Sequence, residues 1–243
     1  TCRMCTETLQ GYTTNIKDVE QNPQAYLTSQ FSPSAMAPQI TQTVTAADNE
    51  PLHFKRMVLH LTWHFNVDNP AKATTAYEVR TMVNAGGPFI GEILETDRNG
   101  IPVAQIYALS YRGVWDMRKQ TVLLSKEFAP QPMEIKSLEH FDPISSIDSG
   151  MRFAYHYGPH SQAISVNTAS ISCSSEGRQP ASTLDPSVTG DAIKMVCNNY
   201  NLNNVLVNQT RFLYLSQYGV GVPTSIASSQ GRTEVKVTAV TVE

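Results

Sequence analysis

A chain of 243 residues is long enough to bury a full core, yet its net charge is only −3 and charged residues make up 16% of it, well under the usual quarter. That balance excludes a protein whose bulk neutralises nucleic acid or an anionic membrane, because either task needs an excess of Lys and Arg. No run approaches the roughly 18 apolar residues that span a bilayer as a helix.

In chain order, residues 1–52 are polar, broken by prolines and weakly periodic, so they read as an extended N-terminal arm ahead of a folded domain over 53–243. The first residue is Thr and no signal-peptide pattern opens the chain, which points to a processed or trimmed product. Cys2 and Cys5 make half of a zinc motif. Cys173 and Cys197 lie at a spacing that matches no zinc module, so the N-terminal pair is expected to be reduced thiols.

The stretch LHFKRMVLHLTWHFNV (52–67) sets the tone for the rest. Met57, Leu59, Leu61, Trp63, Phe65 and Val67 alternate with Arg56, Val58, His60, Thr62, His64 and Asn66, the period-two pattern of a half-buried strand. His60 and His64 share its polar side about 13 Å apart, too far to ligate one metal from a flat strand. With His53 they read as strand surface.

Similar alternation marks 76–84 (Tyr77, Val79, Thr81 and Val83 on one side), 88–95, 101–111, 119–128, 150–158, 162–172, 210–220 and 233–243. Residues 191–201 fit a strand or a helical turn. Asn99-Gly100 predicts a tight hairpin, since both residues tolerate positive φ. Two long loops are expected, at 129–149 and 173–190. No convincing amphipathic helix and no βαβ rhythm is visible, so the expected fold is all-β: a single antiparallel sandwich of eight to ten strands.

Chemistry is sparse. NAGGPF (84–89) has neither phosphate-loop spacing, and no GxSxG elbow is present, so no catalytic residue, cofactor or enzyme activity is expected. Glu139, His140 and Asp142, joined by Asp148, are the weak candidates for a cation site, and the same residues fit a solvated loop. YRGVWDMRK (111–119) interleaves Arg112, Arg118 and Lys119 with Tyr111 and Trp115. That mixture suits single-stranded nucleic acid, and it equally suits a strand–loop–strand whose Arg stems cover a Trp. Lys55 and Arg56 form a second basic spot, and Asn208-Gln209-Thr210 is a glycosylation sequon.

A polar arm leading into ADNEPLHFKRMVLHLTWHFNV, followed by YRGVWDMRKQTVLLSKEF, resembles the jelly-roll capsid proteins of small circular single-stranded DNA viruses and related small icosahedral RNA viruses. That resemblance implies a jelly-roll shell domain that self-assembles in many copies as a virion. It implies a single-stranded genome on the inner face, met by Lys55, Arg56, Arg112, Trp115, Arg118 and Lys119. It also implies a host receptor on the outer loops, assembly inside the host cell and no membrane partner. The Arg/Lys-rich arm usual in such proteins is not in this sequence. The competing expectation is a secreted or surface β-sandwich that binds glycan or protein, marked by a Cys173–Cys197 disulfide. A β-sandwich hydrolase would need paired carboxylates, and here they are scattered.

Overall fold

A computed structural model describes residues 13–163 and 167–243. Cys2 and Cys5 lie outside the described residues. Among the described residues, fourteen strands and three short α-helices follow one another. Strand β1 (Thr13–Asn15) leads into α1 (Ile16–Gln21), α2 (Pro23–Gln30) and α3 (Pro38–Ala47). Next come β2 (Arg56–Phe65), β3 (Thr74–Asn84), β4 (Phe89–Arg98), β5 (Ile101–Tyr111), β6 (Trp115–Leu123), β7 (Phe128–Pro130) and β8 (Met133–Phe141). The set ends with β9 (Met151–Pro159), β10 (Asn167–Pro180), β11 (Asp191–Tyr200), β12 (Leu206–Leu215), β13 (Val220–Ser228) and β14 (Gly231–Val242).

Twelve of these strands close into one antiparallel barrel in the order β2-β3-β4-β5-β6-β8-β9-β10-β11-β12-β13-β14, and β14 pairs back onto β2. This corrects the expected jelly-roll sandwich of eight to ten strands. Alternation reports only that a strand has a buried and an exposed side, which sandwiches and barrels share. Pairing decides between them. Here nearly every strand pairs with its neighbour in sequence, the up-and-down pattern, whereas a jelly roll pairs strands far apart in the chain. Closure is carried by register pairs from Val242↔Met57 to Glu234↔His64. The weakest joint is β6–β8, with only Arg118↔Glu134 and Lys119↔Met133 in register, because the chain leaves the barrel there to pair β7 with β1.

The expected extended arm is instead largely helical over 16–47. Local signals explain the helices. Asn15 and Asn22 cap α1 and α2 by accepting from Lys17 N and Ala25 N, and Pro23 and Pro38 occupy first-turn positions that need no N–H. Ile16, Val19, Leu27, Phe31, Ile40 and Val44 are buried against the outer side of the barrel. Leu27 packs over Gly91, where an added Cβ would sit 3.4 Å from the leucine, and Phe31 and Tyr26 pack on Tyr107. The expected loops also shrink. Residues 133–141 form β8, and β10 runs through to Pro180. Asn99 and Gly100 do make the tight turn, with φ of 54° and 76°.

A single guanidinium ties three chain segments together at one end of the barrel. Arg112, in the β5–β6 turn, donates to both Asp48 carboxylate oxygens (2.7 and 2.9 Å), to the Glu50 carbonyl (2.6 Å) and to the Gly219 carbonyl (3.2 Å). Tyr111 donates a further bond to Asp48 and accepts one from Ile144 N. Burial alone would raise the Asp48 carboxyl, but the bonds from Arg112 and Tyr111 outweigh it and hold it below its usual range. The pair therefore stabilises the fold fully above the ordinary carboxylate value of 3.8 and fades as the pH falls below that. Asp48→Ala leaves a buried cation unpaired and is expected to cost about 3–5 kcal/mol in urea unfolding at neutral pH. A loss under about 1 kcal/mol would show that Arg112 does not hold this end together.

Candidate ligand-binding lumen

An eight-stranded barrel is just filled by its own side chains, so twelve strands leave room inside. Met57, Leu59, Leu61, Met82 and Ile90 belong to one buried apolar cluster. Beside it lies a cavity of about 430 Å³ whose wall draws on strands from both sides of the barrel. A second cavity of about 300 Å³ adjoins it, sharing Asp116, Lys119, Tyr155 and Asn199. Both volumes fall in the range of small-molecule sites.

Cross-strand register explains which side chains meet here. Paired residues point to the same side of a sheet. Leu59 pairs with Arg80, Arg80 with Leu94 and Leu94 with Ile106; one step along, Met82 pairs with Glu92, Glu92 with Ala108 and Ala108 with Lys119. Inward-facing charge is thereby concentrated on β3, β4 and β6. Arg80 Nε donates to Glu78 Oε2 at 2.9 Å, and Lys119 Nζ to Asp116 Oδ2 at 3.0 Å. Glu92 is only 3% exposed, lines the cavity, and its Oε1 is a buried acceptor without a hydrogen-bond partner. Trp63, Trp115 and Tyr155 supply aromatic wall, with Trp115 stacked on Phe153 at 4.7 Å.

Burial pushes the Glu92 carboxyl up to about 7; Asp116 and Glu78 add to the rise, while Arg80 and Lys119 oppose it. For Arg80, burial works against the charge, but Glu78 and Glu92 outweigh it and keep the guanidinium charged.

The adjoining cavity is apolar in its outer part, with Met117, Met133, Ile135, Tyr157, Ala169 and Val207 in its wall. It lies at the end of the barrel away from Arg112. Most large exposed apolar side chains gather at that same end: Tyr77, Ile101, Leu123, Phe128, Met133, Leu202, Val205, Leu206 and Val207. The outward sides of β2 and β14 carry His60, Thr62, His64, Glu234 and Lys236, so the barrel wall there is polar outside and apolar within. That is the reverse of a barrel whose outer band faces lipid. Among the described residues no helix is long and apolar enough to cross a membrane.

The six residues read as a nucleic-acid surface are dispersed, and three of them, Arg112, Trp115 and Arg118, are buried. Arg112 is locked in the cluster with Asp48, Trp115 lines the lumen, and Lys119 lines it with its side chain 46% exposed in a pair with Asp116. Arg118 lies outside the lumen beneath Phe31, bonded to Glu134, and is 3% exposed. Lys55 and Arg56 are exposed together at the start of β2, beside Glu243. Asp142 accepts from Arg152 N and pairs with His140, while Asp148 pairs with Arg178, so the two carboxylates have separate partners. No metal-ligating group of three or more is found among the described residues. Asn208 of the sequon lines the lumen and bonds to Asn199 Nδ2 at 2.6 Å. The residues that sequence reading passed over are Glu78, Arg80, Glu92 and Asp116.

No protein-family model matches the chain, and no curated protein matches it. Among solved structures it is similar to a DUF1329 family protein from Desulfovibrio piger, at 10% identity over 84% of this chain and 91% of that one, with a TM-score of 0.42. It is also similar to a domain described as an outer membrane lipoprotein-sorting protein from Vibrio parahaemolyticus (11%, 84% and 91%, 0.43). A third is a β-barrel-like protein of the unknown-function family DUF1849 from Brucella abortus (9%, 81% and 99%, 0.38). The capsid reading needed the two-sheet jelly roll. With it fall the many-copy shell, the enclosed genome, the outer-loop receptor, the virion location and assembly in a host cell, because the closed up-and-down barrel is a different fold.

Glu92 also gives the site a pH signature. Between its ordinary 4.5 and about 7, the folded protein keeps a proton that the unfolded chain releases. Stability from this group is therefore complete below 4.5 and is lost as the pH rises through about 7. At about 1.4 kcal/mol per unit the loss amounts to about 3 kcal/mol. Urea titrations should show the wild type losing about 2–3 kcal/mol relative to Glu92→Gln between pH 5 and pH 8. Parallel curves would mean that Glu92 is well hydrated.

Proposed function

We propose that this chain is a binding protein that holds a small amphipathic molecule in its lumen, in an oxidising compartment. The observation that carries the reading is the graded pair of adjoining cavities, the outer with Met117, Met133, Ile135, Tyr157 and Val207 in its wall and the inner lined by the nearly fully buried Glu78, Arg80 and Glu92. A molecule with a polar head and an apolar chain matches that gradient from floor to mouth. The exposed Leu202, Val205, Leu206 and Val207 beside the mouth give the apolar chain a place to land before entering. Binding without chemical turnover is sufficient for this reading, and no catalytic residue is assigned.

The compartment is inferred from Cys173–Cys197, which are bonded across β10 and β11 where the two strands put them in direct register. The bond closes a loop with a sequence separation of 24. Its removal in Cys173→Ser/Cys197→Ser is expected to cost about 3 kcal/mol in urea unfolding. An unchanged midpoint would make the bond irrelevant to the fold and remove its support for an oxidising compartment.

The binding reading is tested with N-phenyl-1-naphthylamine, whose fluorescence rises in apolar sites. Saturable enhancement by the wild type, displaced by a C12 amphiphile, is expected. Ala108→Trp fills the lumen between Glu92 and Lys119 and should abolish it while far-UV circular dichroism is retained. Enhancement that survives in Ala108→Trp would place the probe elsewhere and defeat the reading.

A further inference from the structure

The charged floor of the lumen specifies the head group. Five ionisable side chains line the main cavity: the carboxylates Glu78, Glu92 and Asp116, and the cations Arg80 and Lys119. Two ion pairs account for four of them, Arg80 with Glu78 and Lys119 with Asp116. Glu92 is left over. It is 3% exposed, with an orphaned Oε1 and no cation of its own. A buried carboxylate in that position costs stability unless something pairs with it.

Resting on the amphiphile reading above, we infer that the lumen is selective for a cationic head group, a protonated primary amine on an apolar chain, with Glu92 as its counter-ion. The amine supplies the third cation to three carboxylates. An ammonium is a compact donor with three N–H bonds, which suits an orphaned carboxylate oxygen in a confined space. Trp63, Trp115 and Tyr155 are in the same wall and offer π-faces to a desolvated cation. The alternatives fit less well. A fatty carboxylate adds a fourth anion to the floor. A fatty alcohol can donate one hydrogen bond to Glu92 but leaves the charge uncompensated. The shift of the free Glu92 carboxyl to about 7 agrees with this, because the site is a proton short of neutrality and an arriving ammonium replaces that proton.

The test compares dodecylammonium, dodecanol and dodecanoate, each below its micelle concentration, by isothermal titration calorimetry. The wild type should bind dodecylammonium at least tenfold more tightly than the other two. Its affinity should rise about tenfold from pH 6 to pH 8 as Glu92 ionises. Glu92→Gln should collapse the preference for the amine and remove that pH dependence. Lys119→Gln removes a competing cation and should strengthen dodecylammonium binding several-fold, a gain that misfolding cannot produce. Dodecanoate or dodecanol binding as tightly as the amine overturns the head-group inference and leaves the amphiphile reading standing. Amine binding that is weakened or unchanged in Lys119→Gln also overturns it. If none of the three binds, both readings fail together.

Discussion

The structure depends on β14 hydrogen-bonding back onto β2. An open sheet of twelve strands would leave two raw edges and no inside. Pairing Val235 with Trp63 and Val242 with Met57 satisfies the last backbone groups and turns one side of every strand into a lumen wall. Once closed, the sheet has two unlike sides. Its outer side is covered by helices, α2 against β4 and α3 against β8, and its inner side encloses a space too wide for its own side chains to fill. The cavity follows from strand number as much as from any particular residue.

An enclosed space changes what a polar residue means. On a solvated sheet face, Glu78, Arg80 and Glu92 would be ordinary surface. Inside the ring they are 6%, 6% and 3% exposed, and each must find its partner among a few inward neighbours. Two pairs are made and Glu92 remains outside them. The cost of that arrangement falls on the folded protein, and any ligand that relieves it gains the same free energy as affinity. Stability and recognition are thus coupled at one carboxyl group. The Arg112–Asp48 cluster differs, because every strong donor there has an acceptor and the site serves to hold three chain segments together.

The strands were legible in sequence wherever one side was apolar. The alternation over 57–67 places Met57, Leu59 and Leu61 in the core, and the structure buries them almost completely. Asn99-Gly100 turns as its chemistry requires. In β3 the alternation grouped Tyr77, Val79, Thr81 and Val83 on one side without saying which side is buried, and the structure turns that side outward: Tyr77 is 56% exposed while Glu78, Arg80 and Met82 point inward. A charged lumen reverses the usual sign of the pattern. The helices were hidden by their brevity and their Thr/Gln-rich sequence, although Asn22-Pro23 carried a start signal. The charged floor itself was not readable, since Glu92 and Arg80 share one inner face only through pairings that a single sequence does not specify. Arg112 and Arg118 were credited to a partner because sequence gives no sign of Asp48 and Glu134 waiting for them.

The protein has two tryptophans, Trp63 and Trp115, and both line the cavity, so their fluorescence reports on the lumen alone. The most direct measurement is quenching by an amphiphile brominated on its alkyl chain, with the unbrominated molecule as control, since bromine quenches only at contact. The account predicts saturable quenching by the brominated compound and none by the control. Quenching no greater than that by bromide in solution would show that the lumen admits no such molecule, and would contradict the account.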